Sequence, residues 1–177
     1  MMEARHRVVA LRGHGMKEAM SIFLVRHADA GNRAAWQADE RLRPLTQKGL
    51  QQAVDLAERL RSYHPRRLLS SPHVRCVQTL EPLAAAVGVA VEETIDLAEG
   101  NTQRPADLFR ALLDTESGGL VLCSHGDVVA TLLSLLSDEY EISLGPAPPA
   151  KKGSIWHISV DAGRPVVATY LPPSSDP

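Results

Sequence analysis

The sequence predicts an α/β fold, a three-layer α/β/α sandwich built on a mostly parallel sheet with an antiparallel edge, and three observations lead there. Two apolar runs, residues 21–25 and 119–123, read as strands, the second a continuous run as expected for a strand covered on both faces, the habit of parallel sheets. Segments of helical period separate the strand-like runs, so strands and helices alternate. Near the C-terminus, runs at 155–160 and 166–171 flank Asp161-Ala162-Gly163-Arg164, the composition of a hairpin.

In chain order, residues 1–19 show no sustained period and are expected to form a disordered extension. Met20 opens a cleaner beginning, consistent with translation starting there. Thr46 is placed as the N-cap of a helix whose apolar face carries Leu50, Ala53, Val54, Ala57 and Leu60. Pro65 closes that unit, and residues 66–70 form a short strand. Pro72 turns the chain into a helix with Val74, Val77, Leu80 and Val87 on its apolar face, ended by Gly88 as C′ and kinked or broken near Leu80 by Pro82. Residues 89–95 suit another strand, and Pro105 as N1 opens a helix carrying Leu108, Leu112 and Leu113. A helix over 128–136 follows the strand at 119–123, residues 145–152 form a proline-rich loop, and the tail 172–177 is expected to be disordered. The expected domain is thus residues 20–171.

Composition narrows the function. With 177 residues, 44% hydrophobic and 23% charged, the chain suits one domain with a real core. A net charge of -2 provides no general polyanion-binding surface, so neither nucleic acid nor an anionic membrane is expected as the main partner. Cys76 and Cys123 are too few for a disulfide framework and read as packing thiols, which suits a reducing compartment. No apolar stretch approaches the roughly 20 residues of a membrane span, and no signal-peptide centre is visible, so the expected location is cytoplasmic.

Against that background, Val25-Arg26-His27 stands at the end of the first strand. Ser70-Ser71-Pro72-His73-Val74-Arg75 and Cys123-Ser124-His125-Gly126 also follow predicted strands. Ligands of open α/β sheets bind beyond the C-terminal strand ends, where all three segments should meet. A neutral imidazole can attack phosphorus, and two guanidinium groups can clamp the oxygens of a transferring phosphoryl group, which suits His27 as nucleophile with Arg26 and Arg75. His125 can donate to a nonbridging oxygen, helped by the N-terminus of the helix that follows it. This chemistry calls for no metal and no cofactor. Arg12-Gly13-His14-Gly15 has similar residues but no strand before it or helix after it, and reads as a decoy.

These three segments, with Cys76-Val77-Gln78-Thr79 continuing the second, resemble in order the signature of the histidine phosphatase, or phosphoglycerate-mutase-like, superfamily over about residues 21–171. Arg43-Pro44-Leu45-Thr46-Gln47-Lys48-Gly49 resembles its small SixA-type phosphohistidine phosphatase branch, and also the histidine phosphatase domains fused to Nudix hydrolases in actinobacteria; these 177 residues show no Nudix box. The resemblance implies attack by His27, a covalent phosphohistidine and its hydrolysis, with Arg26, Arg75 and His125 forming the phosphate pocket. It also implies that Glu99, in Leu97-Ala98-Glu99, is the proton donor to the leaving group, the alternative being a solvent-facing carboxylate. Asn32 and Arg33 fall where members place phosphate or substrate contacts. The sequence departs from the family at Ala28, where glycine is usual. Arg43 reads either as a substrate-side cation or as the ion-pair partner of Asp39. His73 reads as a pocket-rim residue or an exposed first-turn residue, and His6, His14, His64 and His157 as surface or edge residues.

The expected activity is a metal-independent phosphatase acting on a phosphorylated small molecule, such as a phosphomonoester, or on a phosphohistidine protein. The alternatives are a phosphosugar mutase and a noncatalytic phosphate-binding module. A mutase must shield its intermediate from water, and only the loop from Asn101 and the loop 145–152 could serve as lids. An open site is therefore expected.

Overall fold

Strand β1 (Met20–Arg26) shows why the sheet is a middle layer. Phe23 and Val25 pack into one apolar cluster and Ile22 and Leu24 into another, and all four are fully buried. Alternation puts successive side chains on opposite faces, so both faces must be covered. The computed structural model describes residues 19–174. The expected extension, apart from Ala19, lies outside them, as do His6, the Arg12–Gly15 decoy and positions 175–177.

Strands β2 (Pro65–Ser70), β3 (Val91–Glu93), β4 (Gly119–Ser124), β5 (Ile155–Asp161) and β6 (Arg164–Leu171) join β1 in one sheet of order β3-β2-β4-β1-β5-β6. The pairs β3–β2, β2–β4 and β4–β1 are parallel, whereas β1–β5 and β5–β6 are antiparallel. Helices α1 (Gln47–Leu60) and α2 (Val74–Val87) cover the Phe23 face through Leu56, Leu60, Leu80 and Leu83. Helices α3 (Gln103–Thr115) and α4 (Gly126–Tyr140) cover the Ile22 face through Phe109, Leu112, Leu132 and Leu136. The expected three-layer sandwich with its antiparallel edge is present. Among the described residues no helix is long and apolar enough to cross a membrane.

Local chemistry explains both the agreements and the corrections. Thr46 caps α1 as expected, its hydroxyl accepting from Gly49 N. The buried face of α1 is rotated from the expected one: Leu50 and Val54 are 40% and 46% exposed, while Gln52 and Leu56 are buried. Gly49 sets that rotation, because a Cβ there would stand 2.0 Å from the Asp29 carbonyl oxygen, so only glycine lets the helix approach this closely. Helix α2 runs through Pro82 without a break, and its core face is Cys76, Leu80 and Leu83 rather than the valines, which are half-buried. Burial of Leu80 and Leu83, roughly 1.5–3 kcal/mol each, offsets the ~3 kcal/mol cost of an internal proline.

Pro65 opens β2 instead of merely closing α1, and Pro105 is the third residue of α3, still within the first turn, where an N–H has no helical acceptor. The hairpin turns at Ala162 and Gly163, both with positive φ. The tail does not hang free over residues 172–174: Arg59 Nη1 donates to Pro172 O (2.7 Å), Ser174 Oγ donates to Asp55 Oδ2 (2.8 Å), and Pro173 is buried.

Candidate active site

Parallel pairing brings the C-terminal ends of β1, β2 and β4 to one edge, with Arg26 in register with Ser124 and Ser70 with Cys123. The chain continuing past these ends stays stitched, because His27 N donates to Ser124 O (2.9 Å) and Ser71 N to Cys123 O (2.9 Å). The rings of His27 and His125 consequently lie edge to face, 5.4 Å between centroids. The Glu99 segment joins the same edge through Ser124 Oγ, which donates to Leu97 O (2.6 Å).

His27 is held as a neutral imidazole. Its Nδ1 lies 2.8 Å from Ala28 O. A carbonyl can only accept, so Nδ1 carries the proton and Nε2 keeps its lone pair. Burial, with Arg75, Arg26 and Lys152 nearby, lowers its pKa to about 3. At His125 the direction is equally determined. Arg75 Nη2 can only donate to Nδ1 (3.2 Å), so the proton sits on Nε2 and is given to Ser71 Oγ (2.8 Å). Burial and the neighbouring Arg75 lower the His125 pKa to about 2.

Two guanidinium groups frame the histidines. Arg75 is only 1% exposed; its Nη1 donates to Glu40 O (2.8 Å) and its Nη2 also meets Glu99 Oε2 (3.2 Å). Arg26 Nη1 donates to Ala150 O (2.5 Å), and the guanidinium rests on Gly126, where a Cβ would stand 3.1 Å from Arg26 Cζ. The Nε atoms of both arginines are buried with no hydrogen-bond partner, so each guanidinium keeps one unsatisfied cationic donor. His125 is the N-cap residue of α4, so that helix's dipole reinforces the preference for negative charge.

A cleft of about 530 Å³ opens here, lined by Arg26, Arg33, Glu40, His73, Glu99 and Asp127. A larger depression, about 880 Å³, lies at the far edge around Arg61, His64, Arg66 and Val89. The candidate site is the smaller cleft, because Arg26, whose Nε is unpaired, lines it, and Arg75 reaches its lining residues Glu40 and Glu99.

The structure thus brings Arg26, His27, Arg75, Glu99 and His125 together, and leaves Asn32 out. Asn32 is exposed and its Oδ1 accepts from Ala34 N (3.0 Å), capping the short 3₁₀ turn Arg33–Ala35, so the expected phosphate contact is corrected. Glu99 is not a free acid at the rim: Oε1 takes Arg33 Nη1 (2.8 Å) and Oε2 takes Arg75 Nη2. Arg43 is structural, but its carboxylate partner is Glu40, with Ala30 O as a further acceptor; Asp39 pairs with Arg41 instead. Ala28 needs no unusual backbone, and its methyl packs with Ala30, Leu45 and Ala53. The loop 145–152 is tied down, by Arg26 on Ala150 and by Lys152 Nζ on Asp29 Oδ1 (3.1 Å) and Gly31 O (3.2 Å).

Glu40, which serves Arg43, Arg75 and Arg33 at once, escaped the sequence reading, as did Lys152. Its 3₁₀ turn, Glu40–Leu42, has no apolar period to mark it. The neighbouring Asp39 and Arg43 were the only available signals.

The neutral imidazoles predict a pH-dependent stability. Unfolded, both titrate near 6.5. Their contribution is fully present above that pH and is lost as pH falls toward about 3 for His27 and about 2 for His125. The loss by pH ~5 is about 2 kcal/mol per histidine. Urea melts at pH ~7.5 and ~5 should show it, in a range above ordinary carboxylate titration, and replacing both histidines by Asn should remove most of the difference. Equal midpoints at the two pH values for the unsubstituted protein would contradict neutral burial.

A model of the histidine phosphatase superfamily (branch 1) matches residues 22–105. The 8-oxo-(d)GTP phosphatase of Mycolicibacterium smegmatis is 29% identical over 162 residues, 90% of this chain and 50% of that protein. The "Probable phosphoglycerate mutase GpmB" of Salmonella paratyphi C is 36% identical over 74 residues, 39% of this chain and 33% of that one. The chain spans half or less of these curated relatives. Among solved structures, the protein histidine phosphatase SixA complexed with tungstate superposes with a TM-score of 0.70 at 25% identity, covering 87% of this chain and 97% of that one.

Proposed function

Because this chain belongs to the histidine phosphatase superfamily, we propose that it is a metal-independent phosphatase working through a phosphohistidine at His27. The His27 Nε2 lone pair forms a P–N bond while the bond from phosphorus to the leaving group breaks. The leaving atom keeps that electron pair and takes a proton. Water then forms a P–O bond, the P–N pair returns to Nε2, and the water's proton departs. Arg26 and Arg75 are the proposed phosphate ligands; His125, expected to donate to the phosphate, gives its one N–H to Ser71 and instead packs against His27.

The observation that supports this most is the pair of unpartnered guanidinium Nε atoms beside an imidazole whose lone pair is left free. A pure binder would need the first feature and has no use for the second. The two guanidinium groups also provide positive charge for the developing oxyanion without a metal. The proposed substrate is a phosphomonoester or a phosphohistidine protein, in keeping with an open cleft and, for the phosphohistidine, with the name of the SixA structure. A mutase is disfavoured, since the loop 145–152 that could cover an intermediate is bound to Arg26 and Asp29.

Turnover of 4-nitrophenyl phosphate should be unchanged by chelator, and rapid quenching should trap an acid-labile phosphoryl label on His27. Chelator-abolished turnover, or no label on His27 during turnover, would overturn the reading.

A further inference from the structure

Resting on that reading, we propose that His73 is a further catalytic residue, whose Nε2–H donates to the leaving-group atom of the substrate and thereby selects substrates with basic leaving groups. The direction of the hydrogen bonds around it leads there. Arg75 donates to His125 Nδ1, His125 Nε2–H therefore donates to Ser71 Oγ, and the Ser71 hydroxyl proton is left for His73 Nδ1 at 3.0 Å. A neutral imidazole holding an acceptor at Nδ1 carries its proton on Nε2. Burial and Arg75 lower the His73 pKa, favouring the neutral form. No hydrogen bond occupies Nε2 among the described residues, and the side chain lines the cleft beside Glu40 and Glu99.

The ring is also rigidly set. His73 is 8% exposed, precedes α2 as its N-cap residue, and packs edge to face on His125 with 4.5 Å between centroids. Glu99 is poorly arranged for the same task, since guanidinium groups occupy both its oxygens. A fixed N–H aimed at an atom that gains charge in the transition state contributes where that charge is largest. Alkoxides gain more than nitrophenolate, so His73 should matter most for alkyl esters.

The test compares unsubstituted protein, His73→Phe and His73→Asn on glycerol phosphate and on 4-nitrophenyl phosphate, with thermal melts to verify folding. His73→Phe should lower kcat/KM by about 10²-fold on the alkyl ester and less than about threefold on the aryl ester, mainly through kcat. His73→Asn, which retains an N–H donor, should recover part of the alkyl activity. Equal losses on both esters, or no loss on either, would overturn the role of His73. His27 should still accept the phosphoryl label in both variants. Absence of that label in the unsubstituted protein would instead defeat the phosphatase reading itself.

Discussion

Replacing His27 by Asn should reduce turnover of any phosphate ester by about 10⁴-fold or more, because the proposed nucleophile is removed and no neighbouring group can substitute. His125 has both ring nitrogens in hydrogen bonds, and His73 has only an N–H left to offer. Asn keeps a side-chain N–H that can reach Ala28 O, so the local backbone should hold and the thermal midpoint at neutral pH should stay within a few degrees. The same imidazole sets the acid limit of the unsubstituted enzyme. An ordinary imidazole is mostly protonated at pH ~5, whereas His27, with a pKa near 3, remains a nucleophile there. The kcat/KM profile should show no acid limb from His27 between pH ~7 and ~5. A tenfold fall over that interval beyond what the substrate's own second phosphate ionisation accounts for, in a protein still folded by circular dichroism, would mean that His27 is protonated far more easily than its burial implies. Residual activity of His27→Asn within a hundredfold of the parent would remove His27 from the chemistry.

His27, Arg75 and His125 were legible in the sequence because each lies within a few residues of a strand end, and parallel strands bring such ends together whatever separates them along the chain. Strands β1 and β4 were legible for a related reason, since burial on both faces leaves a continuous apolar run. What escaped the reading depends on contacts without a period. The rotation of α1 follows from Gly49 meeting the Asp29 carbonyl, which hydropathy does not register, so Leu50 and Val54 took the place of Gln52 and Leu56. The 3₁₀ turns Arg33–Ala35 and Glu40–Leu42 direct Asn32 away from the cleft and Glu40 toward Arg75. A sequence shows that charges are present there, while the partner each one takes is decided by the path of the turn. Glu99 illustrates both sides: its strand-end position was readable, and its engagement by Arg33 and Arg75 was not.

Arg75→Met should lower kcat/KM by about 10³-fold while leaving the protein at least as stable as before, and the opposite signs follow from one arrangement. The guanidinium is 1% exposed with Nε unpaired, so folding strips water from a charge without fully replacing it, a cost of several kcal/mol. Its two carboxylate contacts are shared, since Glu99 retains Arg33 at 2.8 Å and Glu40 retains Arg43 at 2.7 Å when Arg75 is gone. The Glu40 carbonyl and His125 Nδ1 each lose a donor, roughly 1 kcal/mol apiece. Met fills much of the same volume, and removing the buried charge outweighs those two losses. Activity should move the other way because Arg75 is a proposed phosphate ligand with an unpaired donor, and a fixed donor in a desolvated site supplies ~3–4 kcal/mol to the transition state. Arg75→Lys should recover less than tenfold, since a point charge cannot present the same fork. Steady-state kinetics and urea midpoints on the three proteins decide the matter. If Arg75→Met loses activity and stability together, the arginine is a structural strut; if it keeps activity within tenfold, the phosphate is held elsewhere. Retained stability with lost activity would mean that the unpaired donor is maintained against the preference of the fold, which is what a preorganised anion site requires.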